Sequence, residues 1–466
     1  MRKELEGRPL IWLALAFMGG LASQFYPVFA FVGLGCLVVD RRASFWALGL
    51  GFAILGVVMA PRVPSLITEP SEFSGEVVVV HAPRPTQSGE RAVVATSGQR
   101  VVMYYDAGQD VSFGDTLLVQ GRVRPLTEKS REYWRHQQVS GSLNVRGTIT
   151  RVSRGPPFFA WGQGIRLAFV DYTRETLGQR ARAIVQSVCF NHDVELSDEE
   201  REALSRSGII HIISTSGMHV VLVAGFLSLL LSALPMPRWC QMGILMLLLL
   251  VYGAAASFRP PMVRSIFMAG FWAFAYLFKR EADGLSATAA SAIITLLIMP
   301  HAIFDVGFLL SFVAITSLVM FVPEAGRHVN TALGWIALRA KQSALASTVA
   351  SLAAAPLLSL SFRQFSIIGV VTNLIVAPLI PVIVSVSILA WLVKGPVGAF
   401  CMQVVVEPLA LFCSGVAGWI SNLPFAAIET PEIPPWFVIG FYVFAAMLWR
   451  PKPRPTFRRP VTDGAL

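Results

Sequence analysis

The chain has 466 residues, of which 54% are hydrophobic and only 14% are charged. Soluble domains carry roughly 25% charged residues, so the composition excludes a water-soluble enzyme, a disordered chain and a disulfide-stapled secreted fold. With a mean hydropathy of +0.61, the chain is expected to be a polytopic membrane protein. The net charge is +10, and five basic residues fall in the last seventeen positions, a pattern that first indicates orientation in a membrane.

Three apolar stretches open the chain, from Leu10 to Phe25, from Pro27 to Val39 and from Ala43 to Ala60. We assign residues 1–61 to N-terminal transmembrane segments, although the first two stretches are short for a span of about 20 residues. A cleaved signal peptide is the alternative for the first stretch, because basic residues precede it and small residues end it.

The region from residue 62 to residue 154 changes character. Short runs rich in β-branched residues alternate with Gly, Pro, Asp and Ser, and no helical period runs through them. The predicted strands span residues 77–80, 91–95, 100–105, 116–123 and 143–152. Strands at this spacing favour a small OB-like β-barrel domain inserted between membrane segments.

The rest of the chain is predicted to be helical. Residues 155–207 are expected to form amphipathic and connecting helices, with a capping box of Ser197 and Glu200 at the start of the last one. Residues 208–449 hold nine apolar runs, which with the three N-terminal stretches make about twelve predicted crossings. Residues 450–466 form a basic tail.

The distribution of basic residues predicts the orientation. If the N-terminus is cytoplasmic and every run crosses once, only Arg259 and Arg363 among the basic residues of the short loops fall outside. Such a bias is typical of the positive-inside rule, so both termini are expected in the cytoplasm. The predicted fold is a polytopic α-helical membrane protein of about twelve crossings with an external OB-like β-barrel domain. Gly- and Pro-broken runs leave re-entrant segments as an alternative to some crossings.

Polar residues inside apolar runs are costly and mark functional sites by default. The densest group lies between His211 and His219 and includes Ser214, Thr215, Ser216 and Gly217. On a helix, His211, Thr215 and His219 would form one polar stripe. The alternative is that the hydroxyl groups only make hydrogen bonds between helices.

A second polar group contains Arg259 and Arg264. We expect Arg264 to lie within the membrane and to face either a wet cavity or a carboxylate, because an unpaired guanidinium is expensive there. Asp305 and Glu407, the only acidic residues within the nine runs, are the candidate counter-ions. A third group surrounds Asn373, where prolines break the helices and free backbone carbonyls. These features favour a conduit or transporter over an enzyme.

The same segments carry motifs in a fixed order. Residues 208–225 resemble the pattern G-[LI]-x-H-[LI]-x-x-[IV]-S-G-x-H, and residues 260–268 resemble P-x-x-R-[AS]-x-x-M. Residues 300–312, which include Ser311, resemble P-x-x-[LI]-x-x-x-G-F-x-L-S-F, and residues 372–378 resemble N-L-[LI]-x-x-P. Together these motifs make the chain similar to the ComEC competence proteins over about residues 1 to 450.

The resemblance implies a channel, not an enzyme, in the inner membrane of a bacterial cell, which carries one strand of transforming DNA into the cytoplasm. Its partners would be single-stranded DNA and the lipid bilayer. The channel candidates are His211, Ser214, Thr215, Ser216, Gly217, His219, Arg259, Arg264, Asp305, Ser311, Asn373 and Glu407. On the barrel domain, basic and aromatic residues suited to phosphates and bases are Tyr104, Tyr105, Arg122, Arg124, Lys129, Arg131, Tyr133, Trp134 and Arg135.

Degradation of the second DNA strand and the energy for moving the first are expected to come from other proteins. Many members of the family carry a metallo-β-lactamase-like nuclease domain, but the sequence contains no H-x-H-x-D-H motif, so a nuclease would be a separate polypeptide. Without a Walker A motif, the pull would come from a cytoplasmic DNA motor or from proteins that bind single strands. An external DNA receptor is a further expected partner. No cofactor and no metal are expected, because the cysteines and histidines show no metal-binding spacing.

Two other classes of function stay open. One is an intramembrane serine hydrolase with Ser216 as the nucleophile and His219 or His301 as the base. The other is a lipid or glycan transporter whose barrel domain binds carbohydrate.

Overall fold

The fold was obtained as a computed structural model. It describes residues 9–23, 43–60, 64–86, 89–96, 98–106, 108–128, 130–131, 134, 137–192, 196–209, 217–279, 283–322, 332–366, 368–424, 426–430 and 433–448. Two apolar helices, α1 (Pro9–Ala22) and α2 (Ala43–Met59), pack against each other before the β region. Three helices follow that region, namely α3 (Pro157–Thr176), α4 (Gln179–Phe190) and α5 (Asp198–Arg206).

The predicted capping box at the start of α5 is confirmed. The Ser197 hydroxyl accepts a hydrogen bond from the backbone N–H of Glu200, and the Glu200 carboxylate accepts one from the backbone N–H of Ser197. This exchange satisfies two backbone donors that the first turn of a helix leaves without partners.

The remaining elements form the helical bundle. They are α6 (Gly217–Ser232), α7 (Arg238–Ala255), α8 (Pro260–Leu277), α9 (Gly284–Ile298), a 3₁₀ turn (Pro300–Phe304), α10 (Val306–Phe321), α11 (Ala332–Phe362), α12 (Gly369–Val376), α13 (Ile380–Val393), α14 (Gly395–Cys401), a π-helical segment (Met402–Val406), α15 (Glu407–Ser421) and α16 (Pro435–Leu448). A short pair of strands, Gln364–Phe365 and Ile428–Glu429, joins the end of α11 to the segment after α15.

Four helical stretches in the described part of the chain are long and apolar enough to cross a membrane. They are Arg238–Ala255, Ala337–Ser361, Gly369–Val393 and Gly395–Ser421. Shorter apolar helices lie at Leu10–Gly19, Gly217–Ser232, Gly284–Ile298 and Val306–Phe321. The chain is therefore a helical membrane protein, whereas twelve crossings remain a prediction.

The β region forms a five-stranded barrel. Its strands are β1 (Ser71–Thr86), β2 (Gly89–Thr96), β3 (Gln99–Tyr105), β4 (Thr116–Arg124) and β5 (Val139–Val145). The order β1-β2-β3-β5-β4 closes because the first half of β1 pairs with β4 and its second half pairs with β2. Strands β3 and β5 are parallel, and the other pairs are antiparallel. This Greek-key closure is the architecture of OB-type barrels.

One predicted strand is wrong in detail. The run from residue 143 to residue 152 divides into β5 and a short edge strand, β6 (Thr150–Ser153), which pairs with β4. Gly147 lies between them with a φ of +83°, a conformation that glycine adopts without steric cost. Both strands pair with the side of β4 that β1 does not occupy, β5 with its second half and β6 with its first half.

Alternating side chains fill the barrel. Along β4, Leu117, Val119 and Val123 are buried while their neighbours are more exposed, as the period of two in a strand requires. Gly121 continues the inward-facing series. A Cβ atom there would lie 2.3 Å from the backbone oxygen of Asn144, so only glycine permits β4 and β5 to approach this closely.

The barrel rests on α3 through polar and aromatic contacts. The Gln163 amide nitrogen donates to the backbone oxygen of Val111 at 3.0 Å, and the Ser112 hydroxyl donates to the Gln163 side-chain oxygen at 2.9 Å. Beside them, the ring centroids of Phe113 and Phe159 lie 4.3 Å apart. These contacts attach the barrel to the helical bundle.

Asp115 organises the loop that makes these contacts. Its carboxylate is 2% exposed, accepts hydrogen bonds from the backbone N–H groups of Ser112 and Gly155 at 2.8 Å each, and lies 3.1 Å from the Arg151 Nε atom. The carboxylate thus joins the two chain segments that meet where the barrel contacts α3.

We expect Asp115→Ala to destabilise the barrel by about 2–4 kcal/mol, because it leaves the backbone N–H groups of Ser112 and Gly155 without their acceptor, and an unsatisfied buried donor costs about 1–3 kcal/mol. Asp110→Ala is the matched control, since Asp110 pairs with the same Arg151 but its side chain is 76% exposed, and such pairs contribute about 1 kcal/mol or less. Thermal unfolding of the full chain in detergent measures both changes. Equal losses in the two variants would contradict the assignment.

Candidate functional site

A cavity of about 600 Å³ lies where the barrel meets the helical bundle. We call it the junction cavity. Its walls come from β1, β2 and β3, from α3, and from the facing ends of α7, α8 and α9. Its charged and aromatic lining residues are Arg91, Arg100, Arg166, Arg259, His81, His301, Asp305, Phe113, Trp134, Phe159, Phe258 and Phe267.

The junction cavity is positively charged. Four arginines line it against one carboxylate, Asp305, among the lining residues that the structure describes. No ion pair to Arg91 or Arg100 occurs within the described ranges. Arg166 is 7% exposed, and its Nη1 atom donates to the Ser257 hydroxyl at 2.6 Å. The cavity therefore favours an anionic ligand.

Each arginine is held in a different way. The Arg91 guanidinium lies 5.5 Å from the centre of the Trp134 ring, a cation–π contact. The Arg100 Nη1 atom is buried and makes no hydrogen bond to any residue that the structure describes, and burial lowers the pKa of Arg100. Glu90 lies near Arg166, and burial raises the pKa of the Glu90 carboxyl.

Two histidines join the barrel to the 3₁₀ turn. The rings of His81 on β1 and His301 lie 5.4 Å apart with an interplanar angle of 33°. Burial, together with the nearby positive charge of Arg100, lowers the pKa of His301 to about 4. At neutral pH His301 therefore presents an uncharged flat ring beside a cation.

Aromatic rings form the wall opposite the barrel strands. Phe159 on α3 packs between Phe113, at 4.3 Å, and Phe258, at 5.9 Å between ring centroids. Cationic side chains beside flat rings are the combination with which proteins bind unpaired nucleic acid strands.

A second cluster lies deeper in the bundle, where α6 begins against α8. A Cβ atom on Gly217 would lie 2.4 Å from the Ser265 hydroxyl oxygen and 2.6 Å from the Arg264 Nη2 atom. The Arg264 guanidinium lies 5.2 Å from the centre of the Phe312 ring on α10. His219, two residues into α6, is fully buried. Three of the four sequence motifs thus meet at one point.

The carboxylate partner expected for Arg264 is not found among the described residues. Arg264 is 1% exposed, and its partners among the described residues are Ser265 at 3.0 Å, the Met268 sulfur at 3.1 Å and the Phe312 ring. Neither a carboxylate nor a wall of the junction cavity is among these contacts. The charge is instead stabilised by neutral acceptors and by the negative face of the ring.

The two candidate counter-ions of Arg264 accept hydrogen bonds from other groups. The Asp305 carboxylate accepts a hydrogen bond from the backbone N–H of Phe308 at 2.8 Å, so it caps α10, and it lines the junction cavity. The Glu407 carboxylate accepts a hydrogen bond from the backbone N–H of Gly178 at 3.1 Å, which joins α15 to the start of α4.

The other channel candidates lie apart from the junction cavity. Ser311 is partly buried on α10, next to Phe312, and Asn373 is 7% exposed on α12. Arg259 is the remaining channel candidate besides Asp305 that lines the cavity. Several candidates fall outside the residues that the structure describes, namely His211, Ser214, Thr215, Ser216, Lys129, Tyr133 and Arg135.

The barrel candidates that the structure describes lie outside the lining of the junction cavity, with one exception. Trp134 lines it, whereas Arg122 and Arg124 on β4 and Arg131 do not. Tyr104 is partly buried and packs beside Trp134, and Tyr105 is 5% exposed in the barrel core, where its ring is closed to a ligand.

Sequence reasoning missed three of the cavity's arginines, which are Arg91, Arg100 and Arg166. Arg91 and Arg100 each follow a polar residue at the start of a strand, a pattern that by itself indicates only a solvated strand end. Their side chains line the same cavity because the barrel closes, and the sequence carries no local signal for that closure.

An OB-like barrel seated on an apolar helical bundle defines a membrane protein with a positively charged cavity between its two parts. The chain matches the family described as Competence protein over residues 188–454, more than half of its length, and it belongs to that family. It is 28% identical over 387 residues to ComE operon protein 3 of Bacillus subtilis (strain 168), an alignment that covers 78% of this chain. The chain spans about half, 49%, of the length of that relative. No solved structure matches the chain.

Gly217→Ala is expected to force α6 away from α8, because the added methyl group would meet Arg264 and Ser265. Overpacking of this kind costs about 1–3 kcal/mol. Gly225→Ala on the same helix is the control, since no atom lies within 4 Å of a Cβ atom there, and it should not lower stability. Melting temperatures of the two variants in detergent test the difference, and a Gly217→Ala protein as stable as Gly225→Ala would refute the contact.

The low pKa of His301 predicts a dependence of stability on pH. An unfolded histidine binds a proton near pH 6.5, whereas folded His301 does so only near pH 4. Between these values the unfolded chain binds more protons, so stability falls as the pH falls through this window. His301→Asn removes this contribution. Its melting temperature should therefore drop less than that of the wild type between pH 7 and pH 5, and parallel curves would contradict the prediction.

Proposed function

We propose that this protein conducts one strand of DNA through the membrane during natural competence and that the strand first contacts the junction cavity. One observation carries the proposal. In a chain of the competence protein family, four arginines and five aromatic rings line one cavity at the point where the barrel meets the helical bundle.

The lining suits the two chemical parts of an unpaired strand. Phosphates carry one negative charge each, and the guanidinium groups of Arg91, Arg100 and Arg259 supply donors for them. Bases have flat faces that stack on aromatic rings, and stacking contributes about 1–3 kcal/mol per base. A duplex hides these faces, so the lining favours a single strand.

The cluster around Arg264 supports a path that continues through the bundle. Motif residues from α6, α8 and α10 converge there, and most are neutral donors or acceptors. Neutral groups hold phosphates weakly enough to release them, whereas exposed arginines along the whole path would trap the strand. Burial of Arg264 under Phe312 is consistent with this requirement. Gly217, His219, Ser311 and Asn373 stay candidates for this deeper part.

The barrel faces the outside in this proposal, and both termini are cytoplasmic, as the distribution of basic residues favours. An external receptor would deliver DNA to the barrel. A cytoplasmic motor or proteins that bind single strands would supply the pull.

The charge of the junction cavity argues against the alternative ligands. An uncharged glycan would supply no negative charge to Arg91 and Arg100, which make no ion pair within the described ranges, so the desolvation of these two guanidinium groups would be uncompensated. The serine hydrolase alternative stays untested, because Ser216 lies outside the described residues.

The proposal is tested in a strain of the source organism that lacks this gene. Wild-type protein should restore DNase-resistant uptake of labelled DNA, whereas the double variant Arg91→Gln and Arg100→Gln should lower it at least about tenfold, because each charged hydrogen bond contributes about 1.5–3 kcal/mol. DNA bound at the cell surface should persist.

The control is Arg122→Gln with Arg124→Gln, which removes the same charge from the barrel at positions that do not line the cavity. Immunoblots of membranes establish equal amounts of protein. Normal uptake in the strain without the gene would overturn the proposed function, and equal losses in the two double variants would remove the cavity from it.

A further inference from the structure

A second cavity, of about 630 Å³, lies beside the junction cavity. We call it the side cavity. Its walls come from the end of α2, from the turn between β2 and β3, and from the start of β5. Its polar lining is mostly uncharged and includes Ser65, Gln99, Gln138 and Ser140.

Three residues line both cavities, and they therefore form the partition between them. These residues are Arg100 at the start of β3, Ile298 at the end of α9 and His301 on the 3₁₀ turn. One comes from the barrel and two come from the bundle, so the partition lies on the boundary between the two parts of the molecule.

The partition has the chemistry to hold one nucleotide. The Arg100 Nη1 atom is buried and makes no hydrogen bond within the described part of the chain, so it has a donor available for a phosphate oxygen. His301 adds an imidazole ring whose centroid lies 5.4 Å from that of the His81 ring. Ile298 is 60% exposed and has an apolar side chain that a base or sugar can contact.

The two sides of the partition differ in charge. Arg100 is the one arginine among the described residues that line the side cavity, whereas the junction cavity has three more. A polyanion is therefore held more weakly in the side cavity, which amide and hydroxyl groups line, than in the junction cavity with its arginines. A strand that spans the partition is therefore held mainly on its junction-cavity side.

We infer that the two cavities form one passage and that Arg100, Ile298 and His301 are its narrow point, through which an unpaired polynucleotide is threaded. One phosphate contacts the Arg100 guanidinium, and a base lies against the His301 ring. The inference rests on the proposed function and deepens it, because it names the residues that select a single strand over a duplex at the entrance.

Blocking the narrow point tests the inference. Ile298→Trp adds bulk at the partition and should lower DNase-resistant uptake at least about tenfold, while DNA at the cell surface is retained. Leu297→Trp is the matched control, because Leu297 is the adjacent residue, is 39% exposed and lines neither cavity. It should behave like the wild type.

A second measurement separates charge from size. Arg100→Gln should lower uptake, and Arg100→Lys, which keeps the charge, should restore part of it. For direct contact, the photo-crosslinking residue benzoylphenylalanine replaces Ile298 or Leu297 in the full-length protein, which is then purified in detergent. Labelled oligodeoxythymidylate should crosslink at position 298 and not at position 297, and a duplex of the same length should crosslink at neither.

The outcomes distinguish the inference from the function on which it rests. If the gene is required for uptake but Ile298→Trp and Arg100→Gln take up DNA normally, the passage does not run through this partition and the inference is overturned. Crosslinking of the duplex at position 298, or equal crosslinking at both positions, would also overturn it. If the gene is dispensable for uptake, the proposed function itself fails.

Discussion

The attachment of the barrel to α3 is the contact on which the rest of the site depends. Like charges repel, and the junction cavity collects guanidinium groups from β2, β3, α3 and the start of α8. The hydrogen bonds of Gln163 to the loop around Ser112, with the packing of Phe113 on Phe159, hold these elements together. Because these guanidinium groups are held close together, their combined positive potential attracts an anionic ligand.

The arginines of the two sites lie in different environments. Around the junction cavity, Arg91 and Arg100 keep donors free of carboxylates in the described residues, so they suit binding from solution. Deeper in the bundle, Arg264 is enclosed by Ser265, Met268 and Phe312. That enclosure depends on Gly217, because any side chain there would displace the guanidinium. A path that binds at its entrance and releases further in is consistent with this contrast.

Local patterns predicted the parts of the structure whose causes are local. The alternation of residues in β4, the capping box at Ser197 and the apolar helices all follow from contacts between residues close in sequence. The motif cluster was also indicated, since Gly217 and Arg264 were both candidates. The carboxylate partner predicted for Arg264 is not found among the described residues, and charge balance alone does not reveal that an aromatic ring from α10 occupies the adjacent space.

The amino-acid sequence by itself determined the membrane class, the inserted β region and the competence family, because composition, periodicity and ordered motifs are properties of the chain read in one direction. Only the tertiary structure decided that Arg91, Arg100 and Arg166 face one cavity and that Arg122 and Arg124 do not. The physical reason is that barrel closure and the seating of the barrel on α3 set the direction of each side chain, and both depend on contacts between residues far apart in sequence.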